Sequence, residues 1–300
     1  MFSTVKKIHR KVIRKKQLCK GLFEIRTKEY KYRDRAISTD YDLGNNVKLY
    51  YWKLEDNNSD NVKENLGDYL STIVVRHFIS HSTSNKERSS TTLYGIGSIL
   101  GFRCQNAVVW GSGILNTDKE YLYRIKLSNL DIRAVRGPKT REQLVKLGKD
   151  CPCVFGDPAV LLPYIYMPNE TSFDYEASLI LHHSDDLSFE IPQELQINII
   201  SIKTRDYESF ISQIVKSKRV ISSSLHGIIL AETYNIPAVL LLKEGHPLFK
   251  YEDWYKSTGR EEIVVAHSIE EALKIDPMPI PDLHTIQEDL IKAFPKDLWE

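Results

Sequence analysis

The sequence has no apolar run that approaches the roughly 20 residues of a membrane-spanning helix, and it has no secretory signal. Cysteine is scarce, and the pair in Cys151-Pro-Cys153 lacks the two-residue spacer of zinc and redox pairs. Low-complexity tracts and repeats of solenoid length are also missing. These absences exclude a repeat protein and a membrane-spanning protein, and they favour the reducing cytoplasm as the location.

The residues that are present suit a soluble protein with two domains. Hydrophobic residues make up 42% of the 300-residue chain, which is enough to build ordinary cores. We predict a basic amphipathic arm at 1–46, an N-terminal Rossmann-like domain at 47–166 and a C-terminal Rossmann-like domain at 167–281. A C-terminal helix is expected at 282–300, and the first strand of the globular part at 47–52.

The net charge of +1 conceals a strongly basic N-terminal segment. Residues 1–35 contain 13 Lys or Arg and three Asp or Glu, whereas the rest of the chain contains 28 and 37. Apolar residues recur at helical spacing among these cations, at Phe2, Val5, Ile8, Val12 and Ile13. A basic amphipathic helix binds anionic lipid, and each cation contributes about 1 kcal/mol near the surface. We therefore expect residues 1–35 to contact the inner face of the cell membrane.

The basic segment has two alternative interpretations that do not involve lipid. A solvated tail, or a helix docked on the acidic body of the protein itself, gives the same pattern. Nucleic acid is not expected as a partner, because the body is acidic and the basic segment has few aromatic residues.

The clearest local pattern lies in residues 219–242. Apolar residues at 220–221 and 238–242 predict two buried parallel strands, with a helix that opens at His226-Gly227 between them. Helix amino ends carry free N–H groups and a partial positive charge, so the turn Ser222–Ser224 before His226 suits an oxyanion. The alternative is that the serines only cap the helix and that His226 is satisfied within its own turn.

Similar junctions recur along the chain, each with small or polar residues at the carboxyl end of a predicted strand. They are Asn65 to Asp68, Gly111 to Gly113, Arg136 and Asp157. In open parallel sheets, ligands bind outside the carboxyl ends of the strands. Two such sheets facing each other would place all of these residues around one interdomain cleft, which is a favoured location for small-molecule sites. The sequence therefore predicts an α/β enzyme.

Five short motifs follow one another in an order that is similar to a known family. They are Asn65-x-Gly67-Asp68, Gly111-Ser112-Gly113, Arg136-Gly137-Pro138-x-Thr140, Gly156-Asp157-Pro158-Ala159 and Ser223-Ser224-Leu225-His226-Gly227. This order, over residues 47–245, resembles the polysaccharide pyruvyl transferase family, especially the exopolysaccharide ketal-pyruvate transferases. The resemblance does not include the basic segment. Gly137 stands where many relatives carry Asp or Glu, so no acidic role is carried over to that position.

The resemblance implies a fold and a reaction. The fold is α/β, with two Rossmann-like domains facing a cleft in a GT-B-like arrangement. The enzyme would add pyruvate from phosphoenolpyruvate, as a ketal, to a sugar of a lipid-linked or polymeric surface polysaccharide. Phosphoenolpyruvate is then a co-substrate, and no cofactor and no metal are expected. The histidines at 77, 81, 182 and 183 lack a matching ligand set and are interpreted as structural.

The resemblance also implies residue roles. His226 matches the essential histidine of the family and would protonate the enol or the leaving phosphate. Arg136 would clamp the donor, because its planar guanidinium suits carboxylate and phosphate groups. Asp68 is the candidate to orient or deprotonate a sugar hydroxyl, with helix capping as the alternative. Asp157 is interpreted as a turn carboxylate. Donor-binding contacts are expected from Asn65, Gly67, Gly111, Ser112, Gly113, Ser223, Ser224 and Gly227.

Two other function classes fit the same sequence. A nucleotide-sugar glycosyltransferase on the same architecture would use Glu232, six residues past His226, to hold a ribose. A non-catalytic assembly factor at the membrane surface would depend on residues 1–35 and not on His226.

Overall fold

The computed structural model describes residues 39–53, 64–79, 90–102, 106–169, 172–185 and 197–300. Within these residues the chain forms an α/β structure with two five-stranded, mainly parallel sheets. The basic segment 1–35, the loop expected at 54–61 and most of the loop expected at 81–92 lie outside the described residues. No helix of the described residues is long and apolar enough to cross a membrane.

The first sheet has its strands in chain order. They are β1 (Thr39–Asp42), β2 (Val47–Tyr51), β3 (Thr91–Tyr94), β4 (Asn106–Trp110) and β5 (Asn129–Ala134). Only the β1–β2 pair is antiparallel. The strand predicted at 47–52 is confirmed as β2, but it is not the first strand, because β1 precedes it within the range assigned to the arm. The sequence Thr-Asp-Tyr-Asp of this edge strand has no apolar run, so no pattern indicated it.

Three α-helices and a 3₁₀-helix accompany this sheet. They are α1 (Leu66–Phe78), α2 (Lys119–Leu127), α3 (Pro138–Lys146) and the 3₁₀-helix Pro158–Tyr164. Pro138 occupies the first helical position of α3, as predicted, because its fixed φ and missing N–H cost nothing there. No pattern predicted α2.

The second sheet is parallel throughout. Its strands are β6 (Ser178–Ile180), β7 (Asn198–Ile199), β8 (Val220–Ser222), β9 (Ala238–Leu241) and β10 (Val265–Ala266), in the spatial order β10-β9-β8-β6-β7. The helices are α4 (Tyr207–Val215), α5 (Leu225–Thr233), α6 (Phe249–Ser257), α7 (Ile269–Lys274) and α8 (His284–Lys292), and a 3₁₀ turn, Lys296–Leu298, follows. The predicted strand–helix–strand unit at 219–242 is confirmed as β8–α5–β9, with parallel pairing.

One hydrophobic core joins the two sheets. Helix α5 is buried from Leu225 to Glu232 and packs against the 3₁₀-helix of the first half, which also contacts α1. The backbone N–H of Leu66 donates to Ile202 O at 2.8 Å, so the start of α1 is bonded to the segment that follows β7. Helix α8 returns to the first sheet, where Leu290 O accepts a hydrogen bond from the indole of Trp110 at 2.8 Å.

Candidate active site between the two sheets

The carboxyl ends of β6 and β8 form the switch point of the second sheet. β7 lies on one side of β6, and β8 lies on the other side. The connections that follow β6 and β7 therefore run in opposite directions across the sheet, and ligands bind at such points. The two strand ends are joined directly, because Ser223 Oγ accepts a hydrogen bond from His182 N at 2.8 Å. Helix α5 begins immediately afterwards, and its first N–H groups have no acceptor within the helix.

His226 lies in the first turn of α5 and faces the first half of the chain. A β-carbon on Gly67, in the first turn of α1, would lie 1.9 Å from the ring Nδ1, so only glycine permits this contact. On the other edge of the ring, Nε2 lies 3.6 Å from Asp157 Oδ2. The imidazole is therefore held between two elements of the first half, and its side chain is 10% exposed.

Asp68 is part of the same group. It is the third residue of α1, and its Oδ2 accepts a hydrogen bond from Asn65 Nδ2 at 2.5 Å. Asn65 is the residue that precedes the helix, and no backbone N–H of the described residues donates to Asp68, so Asp68 does not cap α1. Burial raises the pKa of Asp68 to about 6, against the opposing effects of His226 and the Asn65 hydrogen bond, while Asp157 raises it further.

Three buried polar atoms in this group have no hydrogen-bond partner among the residues that the structure describes. They are Asn65 Oδ1, Asp157 Oδ2 and His226 Nε2. A buried polar atom left without a partner costs roughly 1–3 kcal/mol, so such a concentration is unusual in a region that serves stability alone. It is typical of a site whose partners include a ligand or water.

Arg136 belongs to a separate network behind this group. Its side chain is fully buried, and its three nitrogens donate to Asp253 Oδ2, Ser98 Oγ and Ile114 O at 3.0, 2.5 and 3.0 Å. Asp253 also accepts hydrogen bonds from the N–H and hydroxyl of Thr140. The donor-clamp role of Arg136 stays a prediction, and it requires the guanidinium to exchange one of these protein partners for the donor.

The glycine–serine turn after β4 links the two networks. Gly113 packs against the Arg136 guanidinium, where a β-carbon would lie 2.3 Å from Cζ. Gly97 O accepts hydrogen bonds from Ser112 Oγ and Gly113 N, at 2.8 and 3.0 Å. Gly97 in turn touches the Asp68 carboxylate. The Ser112 hydroxyl is therefore occupied within the protein. We expect only the backbone groups of this turn to be available to the donor substrate.

In the serine turn before α5, some hydroxyls are likewise bonded within the described part of the protein and one is not. Ser223 is committed to His182 through its hydroxyl and to Tyr251 through its carbonyl, which accepts from the phenol at 2.8 Å. Ser224 Oγ has no hydrogen-bond partner among the described residues. Gly227 packs on Ser222 Oγ, with a β-carbon position 2.2 Å away, so it brings α5 close to the sheet. Ser224 is thus the hydroxyl that is available to a ligand.

Lys250, on α6, is a site residue that the sequence did not indicate. It is half-buried, with Nζ 4.8 Å from the centre of the Tyr251 ring, and no described carboxylate lies within ion-pair distance. Burial lowers its pKa to about 8, and Arg136 acts in the same direction, whereas Asp185 and Asp68 raise it. Its segment has neither a strand end nor a capping residue, so no sequence signal marked it.

The histidines after β6 lie at the same edge. Burial lowers the pKa of His182 far below its usual value, and the charge of Lys250 acts in the same direction. The ring of His183 lies 4.8 Å from that of Trp52, which follows β2 of the first half. The two halves therefore also meet at this side of the group, close to the Lys250 ammonium.

Glu232 does not face this group. Its carboxylate accepts hydrogen bonds from both terminal nitrogens of Arg260, at 2.6 and 2.9 Å, and from the Trp254 indole at 3.0 Å. It is 4% exposed. All three bonds lie inside the second half, so Glu232 supports the structure of that half and gives no support to the ribose contact on which the glycosyltransferase alternative depends.

The arrangement combines three chemical abilities. Asp68 ionises near neutral pH and is suited to accept a proton. His226 is a second proton-transfer group beside it. The amino end of α5, Ser224 and Lys250 provide hydrogen-bond donors and positive charge for an anion.

Comparison with known proteins places the chain in a transferase family. Residues 22–242 match the model of a family described as polysaccharide pyruvyl transferase, a range that begins inside the basic segment and includes every predicted site residue. An uncharacterized protein, L143, of Acanthamoeba polyphaga mimivirus is 30% identical over 179 residues, 55% of this chain and 60% of that protein. The succinoglycan biosynthesis protein ExoV of Rhizobium meliloti (strain 1021) is 24% identical over 229 residues, 71% of this chain and 65% of that protein. The chain thus spans less than two thirds of either relative.

Proposed function

The chain belongs to the polysaccharide pyruvyl transferase family, and from this premise we propose that it transfers pyruvate, as a ketal, from phosphoenolpyruvate to a sugar. The acceptor in this proposal is a surface polysaccharide or its lipid-linked precursor. Similarity to a succinoglycan biosynthesis protein supports the polysaccharide context. The observation that carries the proposal is the buried group in which His226 and Asp68, from opposite halves of the chain, meet near Lys250.

Ketal formation has a simple proton balance. Carbon 2 of the donor forms two bonds to sugar oxygens and loses its bond to the phosphate oxygen, and inorganic phosphate leaves. Of the two hydroxyl protons, one ends on the methylene carbon, which becomes the methyl group, and one ends on the phosphate. We assign the proton on carbon to His226 and the removal of a hydroxyl proton to Asp68, whose pKa of about 6 suits a base at neutral pH.

The donor is an anion with a carboxylate and a phosphate. In the proposal, one of them binds the amino end of α5 and Ser224 Oγ, because free N–H groups and the helix dipole favour negative charge there. Lys250, which forms no ion pair with a described carboxylate, contributes positive charge. Asn65, Gly67 and the turn Gly111–Gly113 line the opposite side, and Arg136 adds positive charge from behind.

The proposal extends to the arrangement of the whole chain. The two sheets would form two Rossmann-like domains in a GT-B-like arrangement with the donor between them. A lipid-linked acceptor would bring the enzyme to the cytoplasmic face of the membrane. The cations of residues 1–35 support such contact, since anionic lipid attracts a basic segment.

Ligand binding and product analysis test the proposal together. Thermal unfolding with phosphoenolpyruvate, UDP-glucose or GDP-mannose should show stabilisation by phosphoenolpyruvate alone, about 2.7 kcal/mol at 100 times Kd. The proton NMR spectrum of the host surface glycan should lose its pyruvate methyl signal when the protein is deleted, and His226→Ala should not restore it. Stabilisation by a nucleotide sugar alone, with an unchanged glycan, would contradict the transferase assignment.

A further inference from the structure

Asp157 has two carboxylate oxygens with different tasks. It stands immediately before the 3₁₀-helix Pro158–Tyr164, and its Oδ1 accepts a hydrogen bond from Ala159 N at 3.0 Å. This bond is the ordinary capping interaction expected of a turn aspartate. The second oxygen, Oδ2, is also buried, but it accepts no hydrogen bond from any described residue. A cap alone does not explain why a carboxylate rather than an amide or a hydroxyl occupies this position.

The second oxygen faces the ring of His226. Oδ2 and Nε2 are 3.6 Å apart, and within the described part of the chain neither atom has another partner. A movement of less than about 1 Å brings them to the 2.7–3.2 Å of an N–H···O bond. Catalytic hydrogen bonds are often long without substrate and shorten in the complex, so a distance of 3.6 Å in the free protein leaves room for this bond to form during the reaction.

The rest of the environment fixes the ring in this orientation. Gly67 lies against the Nδ1 side of the ring, and the position that a β-carbon would take there is filled by the imidazole. Asp68 follows Gly67 in α1 and is electrostatically coupled to both His226 and Asp157. The ring therefore has Asp157 on its Nε2 side, and Gly67, at the amino end of α1, packs against it near Nδ1.

We propose that Asp157 is a positioning residue for His226, which accepts a hydrogen bond from Nε2–H and thereby leaves Nδ1 as the nitrogen that exchanges protons during pyruvyl transfer. The role rests on the proposed function, because it assigns a task within that reaction. The fixed tautomer would leave the lone pair of Nδ1 free to accept a proton, and the carboxylate would stabilise the imidazolium that forms when it does so.

The Asp157→Asn variant separates positioning from capping. The asparagine oxygen can still accept from Ala159 N, but an amide replaces the carboxylate oxygen that faces Nε2. We expect kcat to fall on the order of 100-fold or more, as when a catalytic histidine loses the carboxylate that sets its tautomer, and KM for phosphoenolpyruvate to stay within about threefold. Full kcat in Asp157→Asn would reduce Asp157 to a cap and overturn the proposal.

Asp206→Asn is the matched control. Asp206 precedes α4 and accepts from Ser209 N at 3.0 Å, the same bond length as in Asp157, but it is exposed and contacts no site residue. The kcat of the Asp206→Asn variant should equal that of the unmutated protein. An equal loss in both variants would trace the effect of Asp157→Asn to capping and would also overturn the proposal.

A measurement on the unmutated protein needs neither a folded variant nor a substrate. In the histidine ring ¹⁵N NMR spectrum, the neutral His226 ring should carry its proton on Nε2. A ring protonated on Nδ1 overturns the assignment whether or not Asp157→Asn folds. Because the spectrum contains no substrate, it decides the pairing even if pyruvyl transfer itself is absent, so failure of this inference and failure of the proposed function are distinguishable.

Discussion

Gly67 and His226 pack so closely that a β-carbon on Gly67 would lie 1.9 Å from the imidazole Nδ1. This contact joins the first turn of α1 to the first turn of α5. Two helix amino ends, one from each half of the chain, thus meet at a single ring, and the glycine of the Asn65-x-Gly67-Asp68 motif is explained by this contact rather than by its own backbone conformation.

The Gly67→Ala variant should lose activity and some stability. The methyl group has no space unless the ring moves, and overpacking of this kind costs roughly 1–3 kcal/mol. Urea unfolding and pyruvyl transfer are the measurements. Gly95→Ala is the matched control, because its β-carbon would meet nothing closer than Ser71 Oγ at 3.4 Å. Equal activity in Gly67→Ala and Gly95→Ala would mean that the ring position does not matter.

Asp68→Asn should stabilise the protein above pH 6 and inactivate it. The folded-state pKa of about 6, raised mainly by burial, exceeds the unfolded value of 3.8. The folded state therefore binds the proton more tightly, and this contribution to stability is complete below about pH 4 and lost as the pH rises through 6. Asparagine removes the cost of a buried carboxylate and retains the bond from Asn65, so the gain at pH 7 should be on the order of 3 kcal/mol.

Urea unfolding of both proteins from pH 4 to pH 8 checks this prediction. The difference in the free energy of unfolding should vanish near pH 4 and reach its full size above pH 6. A difference that does not change with pH would show that the Asp68 carboxylate carries no ionisation penalty. Loss of transfer together with gained stability is the usual sign of a group kept for function.

The parts of the site that the sequence could indicate are those at strand ends. His226, Asp68 and Asn65 stand in short motifs where a strand gives way to a helix, and parallel sheets bring such ends to one edge. Their mutual contacts depend on how the two sheets face each other, which one sequence does not encode locally. The role of Asp157 illustrates this, since its capping oxygen follows from the local sequence but the oxygen that faces His226 does not.

The elements that escaped prediction lack any periodic pattern. β1 is a polar edge strand, and α6 is a nine-residue helix of mixed aromatic and charged residues without a side-chain cap. The position of α6 depends on tertiary partners. The hydrogen bond from Arg136 to Asp253 and the hydrogen bond from Tyr251 to Ser223 hold it in place. Lys250 and Asp253 are both on α6, so missing one helix meant missing two residues around the site.

Asp253→Asn should destabilise the protein by about 3–5 kcal/mol, because it leaves a buried guanidinium without its counter-charge. Both side chains of the Arg136–Asp253 pair are fully buried. Urea unfolding gives the free energy, and Glu142→Gln is the control, since the exposed Glu142–Lys146 pair should contribute nothing measurable. Wild-type stability in Asp253→Asn would show that the Arg136 charge is compensated elsewhere.

Arg136→Lys decides between the two roles of this arginine. Lysine cannot replace the three directed bonds, so stability should fall in either case. If the guanidinium only supports α6, the folded fraction should keep its KM for phosphoenolpyruvate. A KM raised tenfold or more in folded protein would support the donor clamp expected from the sequence.

Lys250→Met should weaken donor binding without loss of stability. A hydrogen bond from a charged group contributes about 1.5–3 kcal/mol, so KM for phosphoenolpyruvate should rise roughly 10- to 100-fold. Stability should not fall, because no described carboxylate pairs with the half-buried ammonium and methionine fills a similar volume against Tyr251. Lys256→Met, on the same helix, removes a cation paired with Glu261 and should leave KM unchanged.

The pH dependence of donor binding gives a second test of Lys250. Burial lowers its pKa to about 8, so the ammonium is present below that pH and lost above it in the free enzyme. Affinity for phosphoenolpyruvate, measured by titration calorimetry from pH 6.5 to 9.5, should therefore fall above pH 8 in the unmutated protein and in Lys256→Met. In Lys250→Met this decline should be absent. If the decline persisted there with equal slope, another group would be the cation that meets the donor, and Lys250 would have no part in binding.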